Sequence, residues 1–337
     1  PSTQTHVGGA FALSASRDAE TITGITVTES GTVNGQNALD NIRLRYDLDT
    51  SAPYDCASES YSALDSQFGA LDTNGFSGPD GVASFTGSVN ISTSSTMCVY
   101  VVVDVLSNAS NGQTIELSID DPSSEVSVLA GAVDPDDPVA IDGVTTLTRS
   151  VLRQAHYHWR LDNGTETTAS SATGGVEDTP LTTLAKGSAR RLRVGIGNTG
   201  GAAAPASTYR IEYAANTGLC STSIGWVDVG AVGGDWEIAT STNLTEGTNT
   251  TNIGTSTGGV SDDGRTFLVA NGGVRDETSQ TGSLALAANE QAEFEFSLRS
   301  TPSAIEGTTY CFRASRGGTP LDVYDAYPEV TIIATFW

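Results

Sequence analysis

Carboxylates are the side chains best suited to chemistry in this chain, because only three histidines accompany 40 acidic residues. The segment "LDTNGFSGPDG" places Asp72, Asn74 and Asp80 in one glycine-rich loop. Oxygen ligands at near-alternate positions suit a hard cation such as Ca²⁺, although the bidentate glutamate of an EF-hand is missing. The loop therefore predicts a calcium site, with a solvated turn as the alternative.

Two histidines, His156 and His158, lie two residues apart on a predicted strand and therefore on one face of it. They could begin a zinc site, but the sequence shows no third ligand. The alternative is a solvent-facing pair that flanks buried Tyr157 and Trp159. The segment "LDTSAP" resembles the Asp-Thr-Gly of aspartic proteases, but Ser51 replaces the glycine and no second copy follows. We predict no catalytic residue.

The overall charge restricts the partners. The 337 residues carry a net charge of -24, which repels nucleic acid and anionic membranes. No run of about 20 apolar residues is present, so we expect no membrane span. The first residue is Pro1 instead of Met, and we therefore expect a mature, processed chain.

The four cysteines contain no CxxC pair, which argues against a zinc ribbon or a thioredoxin-like motif. Two fall in each half, so we predict the disulfides Cys56–Cys98 and Cys220–Cys311, with four buried free thiols as the alternative. Each loop would contribute roughly 3 to 5 kcal/mol on the chain-entropy model. Because disulfides persist in oxidising compartments, we expect an extracellular or cell-surface protein.

The hydrophobic pattern predicts strands and almost no helix. Short alternating segments such as "VASFTGSVNI" and "AEFEFSLRS" recur between Asn-Gly and Asp-Gly turns. The expected fold is all-β, with two tandem β-sandwich domains of immunoglobulin-like or jelly-roll type. We place an N-terminal extended strand at 1–16, the first sandwich at 17–150 and the second at 151–337.

The second half carries a family-like pattern over residues 155–335. A strand ends in an Asn198-Thr-Gly200 turn, "LAANEQAEFEF" supplies Phe294 and Phe296, and "YCFRA" follows near residue 312. This pattern resembles the immunoglobulin-like surface domains of bacteria and archaea. The first half resembles the β-sandwich modules of secreted bacterial surface and filament proteins. These resemblances imply a fold, not an activity.

The N-terminal segment "THVGGAFALSAS" alternates Val7, Gly9, Phe11 and Leu13 with small residues. It resembles the extended N-terminal arms of pilus subunits, which are inserted into a groove of the next subunit. Main-chain bonds would then give affinity and the alternate side chains would give register. We predict these four residues as a donor strand, with the first strand of the chain's own sandwich as the alternative.

The C-terminal segment "YPEVTIIATFW" has apolar residues on both faces of an extended strand. Val330 and Ile332 lie on one face, and Ile333 and Trp337 on the other, so we expect both faces to be buried. The segment is predicted as the closing strand of the second sandwich. Phe336 and Trp337 would lie at the junction between subunits.

An insertion at 216–262 is rich in glycine, threonine and asparagine, and we expect it to lie on the surface. It contains Trp226 and Trp236, whose indole rings would stack on sugars if they were exposed. The chain also carries five Asn-x-Ser/Thr acceptors for N-linked glycans. They are Asn90, Asn108, Asn163, Asn243 and Asn249.

Together these features favour a non-enzymatic structural subunit of an extracellular filament, in which the chain polymerises with itself by strand donation. The alternative is a cell-surface adhesin or carbohydrate-binding module whose partners are surface glycans. A hydrolase whose site the sequence does not reveal is a third hypothesis. No cofactor other than calcium is expected.

Overall fold

The computed structural model describes residues 2–333, and within that range the chain is nearly all β. This confirms the predicted all-β sandwich class. The chain divides into two compact units between Thr148 and Arg149, called unit 1 and unit 2 below. No helix among residues 2–333 is long and apolar enough to cross a membrane.

Unit 1 contains eleven strands and two one-turn helices within the described residues. The strands are β1 Ser2–Ser14, β2 Glu20–Glu29, β3 Leu39–Asp49, β4 Ser66–Asp72, β5 Val82–Ile91, β6 Thr96–Val105, β7 Thr114–Ile115, β8 Leu117–Ile119, β9 Val126–Val128, β10 Val139–Ala140 and β11 Thr145–Thr146. The helices are α1 Gly35–Ala38 and α2 Pro122–Glu125.

Two main sheets enclose the core of unit 1. One has the order β1-β6-β3-β4, and the other has the order β10-β8-β2-β5 with β9 also paired to β2. Strand β6 is buried along almost its whole length, as expected for its continuous run of valines between two neighbouring strands. The side chains of Ile25, Val27, Leu44 and Phe85 meet between the sheets in one apolar cluster.

Unit 2 contains fifteen strands and two 3₁₀ turns within the described residues. The strands are β12 Leu152–Arg160, β13 Leu181–Ala185, β14 Ala189–Asn198, β15 Ala204–Ser207, β16 Tyr209–Ala215, β17 Val227–Asp228, β18 Trp236–Ile238, β19 Thr266–Phe267, β20 Val274–Arg275, β21 Leu284–Leu286, β22 Glu290–Ser300, β23 Thr309–Arg316, β24 Thr319–Pro320, β25 Val323–Tyr324 and β26 Glu329–Ile333. The 3₁₀ turns are Cys220–Thr222 and Thr255–Thr257.

Unit 2 also has two main sheets. The first has the order β18-β22-β14-β12-β25, with β19 and β20 paired to β22, and the second has the order β13-β26-β23-β16-β17. Alternation along the strands sends Trp159, Phe294 and Phe296 into the shared core. The charged residues between them lie on the other face of the first sheet, where Arg193 contacts the backbone of Thr251 in the 216–262 insertion.

The prediction that the Asn-Gly and Asp-Gly dipeptides form hairpin turns is wrong, because within residues 2–333 none of them joins two consecutive strands that pair with each other. Asn34-Gly35 shows one reason. It does not join two strands, because Asn34 caps the short helix α1. Its side-chain Oδ1 accepts a hydrogen bond from the backbone N–H of Asn37 at 3.0 Å. Asparagine suits a helix N-cap as well as a turn, so the dipeptide alone did not distinguish the two structures.

Candidate functional site

The N-terminal strand β1 lies at the edge of the first sheet of unit 1, where it pairs antiparallel with β6. Val7 pairs with Val101 and Phe11 with Val99. In the described chain the predicted donor segment thus lies in its own sheet and is not a free arm. The arrangement matches the alternative given above, in which the segment is the first strand of the chain's own sandwich.

The side chains of β1 fill the core of unit 1. Val7 and Phe11 are 1% and 2% exposed, and Leu13 packs against the same cluster. A bulge interrupts the ladder between Val7 and Phe11, where Gly9 lies half-buried. The segment therefore supplies apolar side chains that the rest of the sheet does not provide.

Gly8 explains why glycine stands in this bulge. Its φ angle is +62°, a conformation that favours glycine, and a Cβ there would lie 2.3 Å from Cγ2 of Ile141. The backbone N–H of Gly8 donates to the hydroxyl of Thr145 at 3.0 Å. The chain after β1 is exposed at residues 16–19, of which Ser16, Arg17 and Asp18 are polar, before β2 begins.

The C-terminal strand β26 lies inside the second sheet of unit 2, between β13 and β23. Val330 and Ile332 are fully buried in the core, as expected from their face of the strand. Ile333 is 39% exposed, so the expectation that both faces are buried is wrong at this residue. Phe336 and Trp337 lie outside the described residues.

The structure contains two disulfides, Cys56–Cys98 and Cys220–Cys311, which are the pairings expected from the sequence. The first joins β6 to the loop that follows β3. Asp49, the aspartate of "LDTSAP", is buried and accepts hydrogen bonds from the backbone N–H groups of Ser51 and Cys56. It holds this loop in place, which is a structural role for the motif.

Of the predicted calcium residues, Asp72 is the last residue of β4, and Asn74 and Asp80 lie in the loop between β4 and β5. Asp72 accepts a hydrogen bond from the N–H of Asn74 at 2.9 Å, and both Asn74 and Asp80 are exposed. Their use as calcium ligands stays a prediction. Close to this loop is the fully buried Glu29, whose pKa is raised to about 7, chiefly by burial and also by the charges of Asp80 and Glu116.

His158 is buried instead of solvent-facing, so that expectation is wrong. Its Nδ1 lies 2.9 Å from the carbonyl oxygen of Gly259 and its Nε2 lies 2.8 Å from Oγ of Ser171. Loops of unit 2 cover this face of the sheet, and burial lowers the pKa of His158. Ser171 also accepts hydrogen bonds from the N–H groups of Thr173 and Gly175, so the Ser–His contact holds a loop.

His156 is half-buried and meets acidic residues that are remote in sequence. Its Nδ1 lies 2.5 Å from Oδ2 of Asp178, and its Nε2 lies 3.1 Å from both carboxylate oxygens of Asp263. The hydrogen bond to Asp178 is the main cause that raises the pKa of His156 to about 9. Among residues 2–333, His156, Glu177 and Asp178 form the one group of three side chains placed to hold a metal ion.

The two tryptophans of the insertion have different environments. Trp236 is fully buried against Phe312, with ring centroids 4.9 Å apart, so it is not a sugar platform. Trp226 is half-buried and stacks on Tyr327 at 6.1 Å. The guanidinium of Arg313 lies 4.3 Å from the centroid of the Trp226 ring. The insertion is therefore not wholly a surface loop.

All five predicted glycan acceptors are exposed, so each can be reached from solvent. Four of the side-chain amides donate hydrogen bonds: Asn90 to Thr21, Asn108 to the carbonyl of Asn37, Asn163 to Ser170, and Asn243 to the carbonyl of Asp162. The side-chain oxygen of Asn249 accepts one from the N–H of Gly272. Their glycosylation stays a prediction.

No family model and no curated protein matches this chain. The function is therefore inferred from the fold and from the residues described above.

Proposed function

We propose that this chain is a non-enzymatic structural subunit of an extracellular, pilus-like filament that assembles by β-strand donation. The observation that supports the proposal is the position of β1. It is an edge strand of 13 residues, it pairs with a strand far along the chain, and it buries Val7 and Phe11 in the core. A strand held in this way can be supplied by a second copy.

Strand exchange would preserve every contact that β1 makes in its own unit. The β1 of one subunit would form the same ladder with β6 of the next, and Phe11 would enter the same part of the core. The exposed residues 16–19 would supply a linker that can straighten. Exchange of an identical element is a low-cost route to assembly, and a head-to-tail exchange propagates as a filament.

In a monomer, β1 would protect the edge of its own sheet. Without β1, the edge of β6 would expose unpaired backbone groups and the buried valines Val99, Val101 and Val103. Exposed edges of this kind associate without specificity. The intramolecular strand would protect the groove until a second copy replaces it.

Export is the second part of the proposal. Two disulfides in one chain are typical of proteins that fold in an oxidising compartment. A net charge of -24 keeps unassembled subunits apart and disfavours nucleic-acid partners. Both properties suit a secreted subunit whose main partner is a second copy of itself.

Negative-stain electron microscopy of the purified chain, with and without residues 2–16, tests strand donation. We expect filaments from the complete chain and none from the truncated one. A synthetic peptide with the sequence of β1 should bind the truncated chain and restore a stable monomer. A control peptide with Val7→Asp and Phe11→Asp should not. Filaments from the truncated chain would rule out the proposal.

A carbohydrate-binding module is the second candidate, and one observation favours it. Trp226, Tyr327 and Tyr324 form a partly exposed row of stacked rings, with Arg313 against two of them. Such rows can stack on sugar rings. Glycan-array binding by the complete chain, lost in Trp226→Ala, would support this function, whereas an array without binding would oppose it.

A further inference from the structure

We propose that His156, Glu177 and Asp178 form a binding site for a divalent transition-metal ion, for which Zn²⁺ is the best match. Each residue offers one ligand atom, and these atoms lie within 4.8 Å of one another. The site goes beyond the filament function, because it lies in unit 2 and uses no residue of β1.

Backbone contacts fix the position of Asp178 beside His156. The N–H of Asp178 donates to the carbonyl of Tyr157 at 2.9 Å. In return, the N–H of Tyr157 donates to Oδ1 of Asp178 at 2.9 Å. This reciprocal pair ties the residue next to His156 to the carboxylate and directs Oδ2 of Asp178 towards the imidazole.

Glu177 is oriented in a similar way by a different segment. Its Oε2 accepts a hydrogen bond from the N–H of Ser261 at 2.8 Å. Each of the two carboxylates accepts a backbone hydrogen bond on one oxygen, which leaves its other oxygen for an ion. The fold thus holds each carboxylate by one of its oxygens before an ion binds.

Asp263 supplies the contact that metal-binding histidines usually have on their second nitrogen. Both of its carboxylate oxygens lie 3.1 Å from Nε2 of His156. A carboxylate at this position keeps a proton on Nε2 and orients the ring. Nδ1, which faces Asp178, is then the ring nitrogen whose proton an ion would displace.

The donor set selects the class of ion. One imidazole nitrogen and two carboxylate oxygens suit Zn²⁺, which binds such ligands at about 2.0 to 2.2 Å and is usually tetrahedral. A water molecule would complete the coordination. Ca²⁺ prefers six to eight oxygen ligands, so a site with an imidazole favours a transition metal. On binding, Zn²⁺ takes the place of the proton on Nδ1, which is released to solvent.

Calorimetric titration of the complete, chelator-treated chain with Zn²⁺ tests the site. We expect about one equivalent of Zn²⁺ to bind, and His156→Gln and Glu177→Gln to weaken the affinity by at least about tenfold. Asp263→Asn should weaken it by about 10- to 100-fold, as for other residues that orient a ligand. The chain has only three histidines, so His6→Gln is a matched control and should bind as the parent does.

Co²⁺ gives a second measurement that does not depend on affinity alone. Its visible absorption should appear on binding to the parent and to His6→Gln, and should be lost in Glu177→Gln, which keeps the His156–Asp178 contact. Circular dichroism establishes that each variant is folded. The proposal is overturned if Zn²⁺ does not bind, if His156→Gln binds it as well as the parent, or if Ca²⁺ binds at this site in preference to Zn²⁺.

Discussion

Arg193 and Glu295 are directly opposite each other on the neighbouring strands β14 and β22, and both are fully buried. Nη1 of Arg193 lies 2.9 Å from Oε2 of Glu295. Glu293, also fully buried, bonds to Nε of the same arginine. Although burial lowers it, the charges of Glu293 and Glu295 raise the pKa of Arg193 above its ordinary value.

This buried network gives a physical reason for the preference for arginine, since all but one of the 16 basic residues are Arg. Arg191 shows the requirement clearly. Its Nη2 donates to the carbonyl of Gly164 at 2.7 Å, and its Nε donates to Asp162 at 3.0 Å. A planar guanidinium with five donors can satisfy several acceptors in a loop at once, whereas the ammonium of lysine cannot.

Arg193→Met should destabilise the protein strongly. The substitution leaves the fully buried Glu293 without its cation, whereas Glu295 keeps its ion pairs with Arg160 and Arg191. Removal of one partner from a buried ion pair costs about 3 to 5 kcal/mol. Urea denaturation of the variant and the parent at neutral pH measures this difference.

The matched control is Arg299→Met, because Arg299 lies on β22 of the same sheet. Arg299 pairs with Glu237, but the two side chains are 48% and 39% exposed. Exposed ion pairs contribute about 0 to 1 kcal/mol, so this variant should unfold almost as the parent does. Equal losses in the two variants would contradict the structural role of the buried network.

Glu29→Gln should stabilise the protein at alkaline pH. Burial, with the charges of Asp80 and Glu116, raises the pKa of Glu29 to about 7 from 4.5. Because the folded pKa is the higher one, its stabilising contribution is complete below about pH 4.5 and is lost as the pH rises through about 7. The full effect is on the order of 3 kcal/mol. Glutamine stays neutral and removes this pH dependence.

Thermal unfolding of Glu29→Gln and the parent at pH 5 and pH 8 checks this expectation. The variant should gain stability relative to the parent between the two pH values. Glu20→Gln, at the other end of the same strand β2, is the control and should show no such gain. If the difference in melting temperature between Glu29→Gln and the parent were the same at pH 5 and pH 8, the ionisation of a buried Glu29 would be contradicted.

Most long strands could be predicted from the sequence because their alternation is set by one buried face. "VASFTGSVNI" coincides with β5, and "AEFEFSLRS" lies within β22. Strand β4 was missed because its segment contains only two large apolar residues between polar ones. The segment "GVTTLTR" at 143–149 predicts a strand by its alternation, but only the two-residue β11 forms there.

The clusters on unit 2 could not be predicted in the same way, because their members come from remote segments. His156 and Asp263 are separated by 107 residues, and only the fold brings them together. One signal was present in the sequence. Arg191 and Arg193 alternate with core residues on one strand, and Glu293 and Glu295 do so on another, so opposite charges repeat with the same period.

Removal of either disulfide should destabilise the protein by about 2 to 5 kcal/mol. Cys56 and Cys98 are 42 residues apart, and Cys220 and Cys311 are 91 apart. Since the entropic contribution grows with the logarithm of loop length, the two losses should differ by only about 0.7 kcal/mol. Denaturation of the two double Cys→Ser variants measures both. A much larger loss for one pair would show that native-state contacts of its loop dominate.

Gly8→Ala should weaken the attachment of β1 to unit 1. The new Cβ would lie 2.3 Å from Cγ2 of Ile141, in a backbone conformation with φ of +62°. The strand must then shift, which disturbs the burial of Val7 and Phe11 on either side. We expect a lower melting temperature and faster proteolysis near residues 16–19. If a second copy supplies β1 in filaments, the same clash should reduce filament yield.

Gly112→Ala separates the clash from backbone strain. Gly112 also has a positive φ, +86°, but a Cβ there would meet no atom within 4 Å. Both variants incur the cost of a left-handed alanine, about 1 to 2 kcal/mol, so the extra loss in Gly8→Ala reports the contact with Ile141. Truncation of that partner, Ile141→Ala, should recover part of the loss in the double variant. Equal losses of stability in Gly8→Ala and Gly112→Ala would mean that β1 does not pack closely against Ile141.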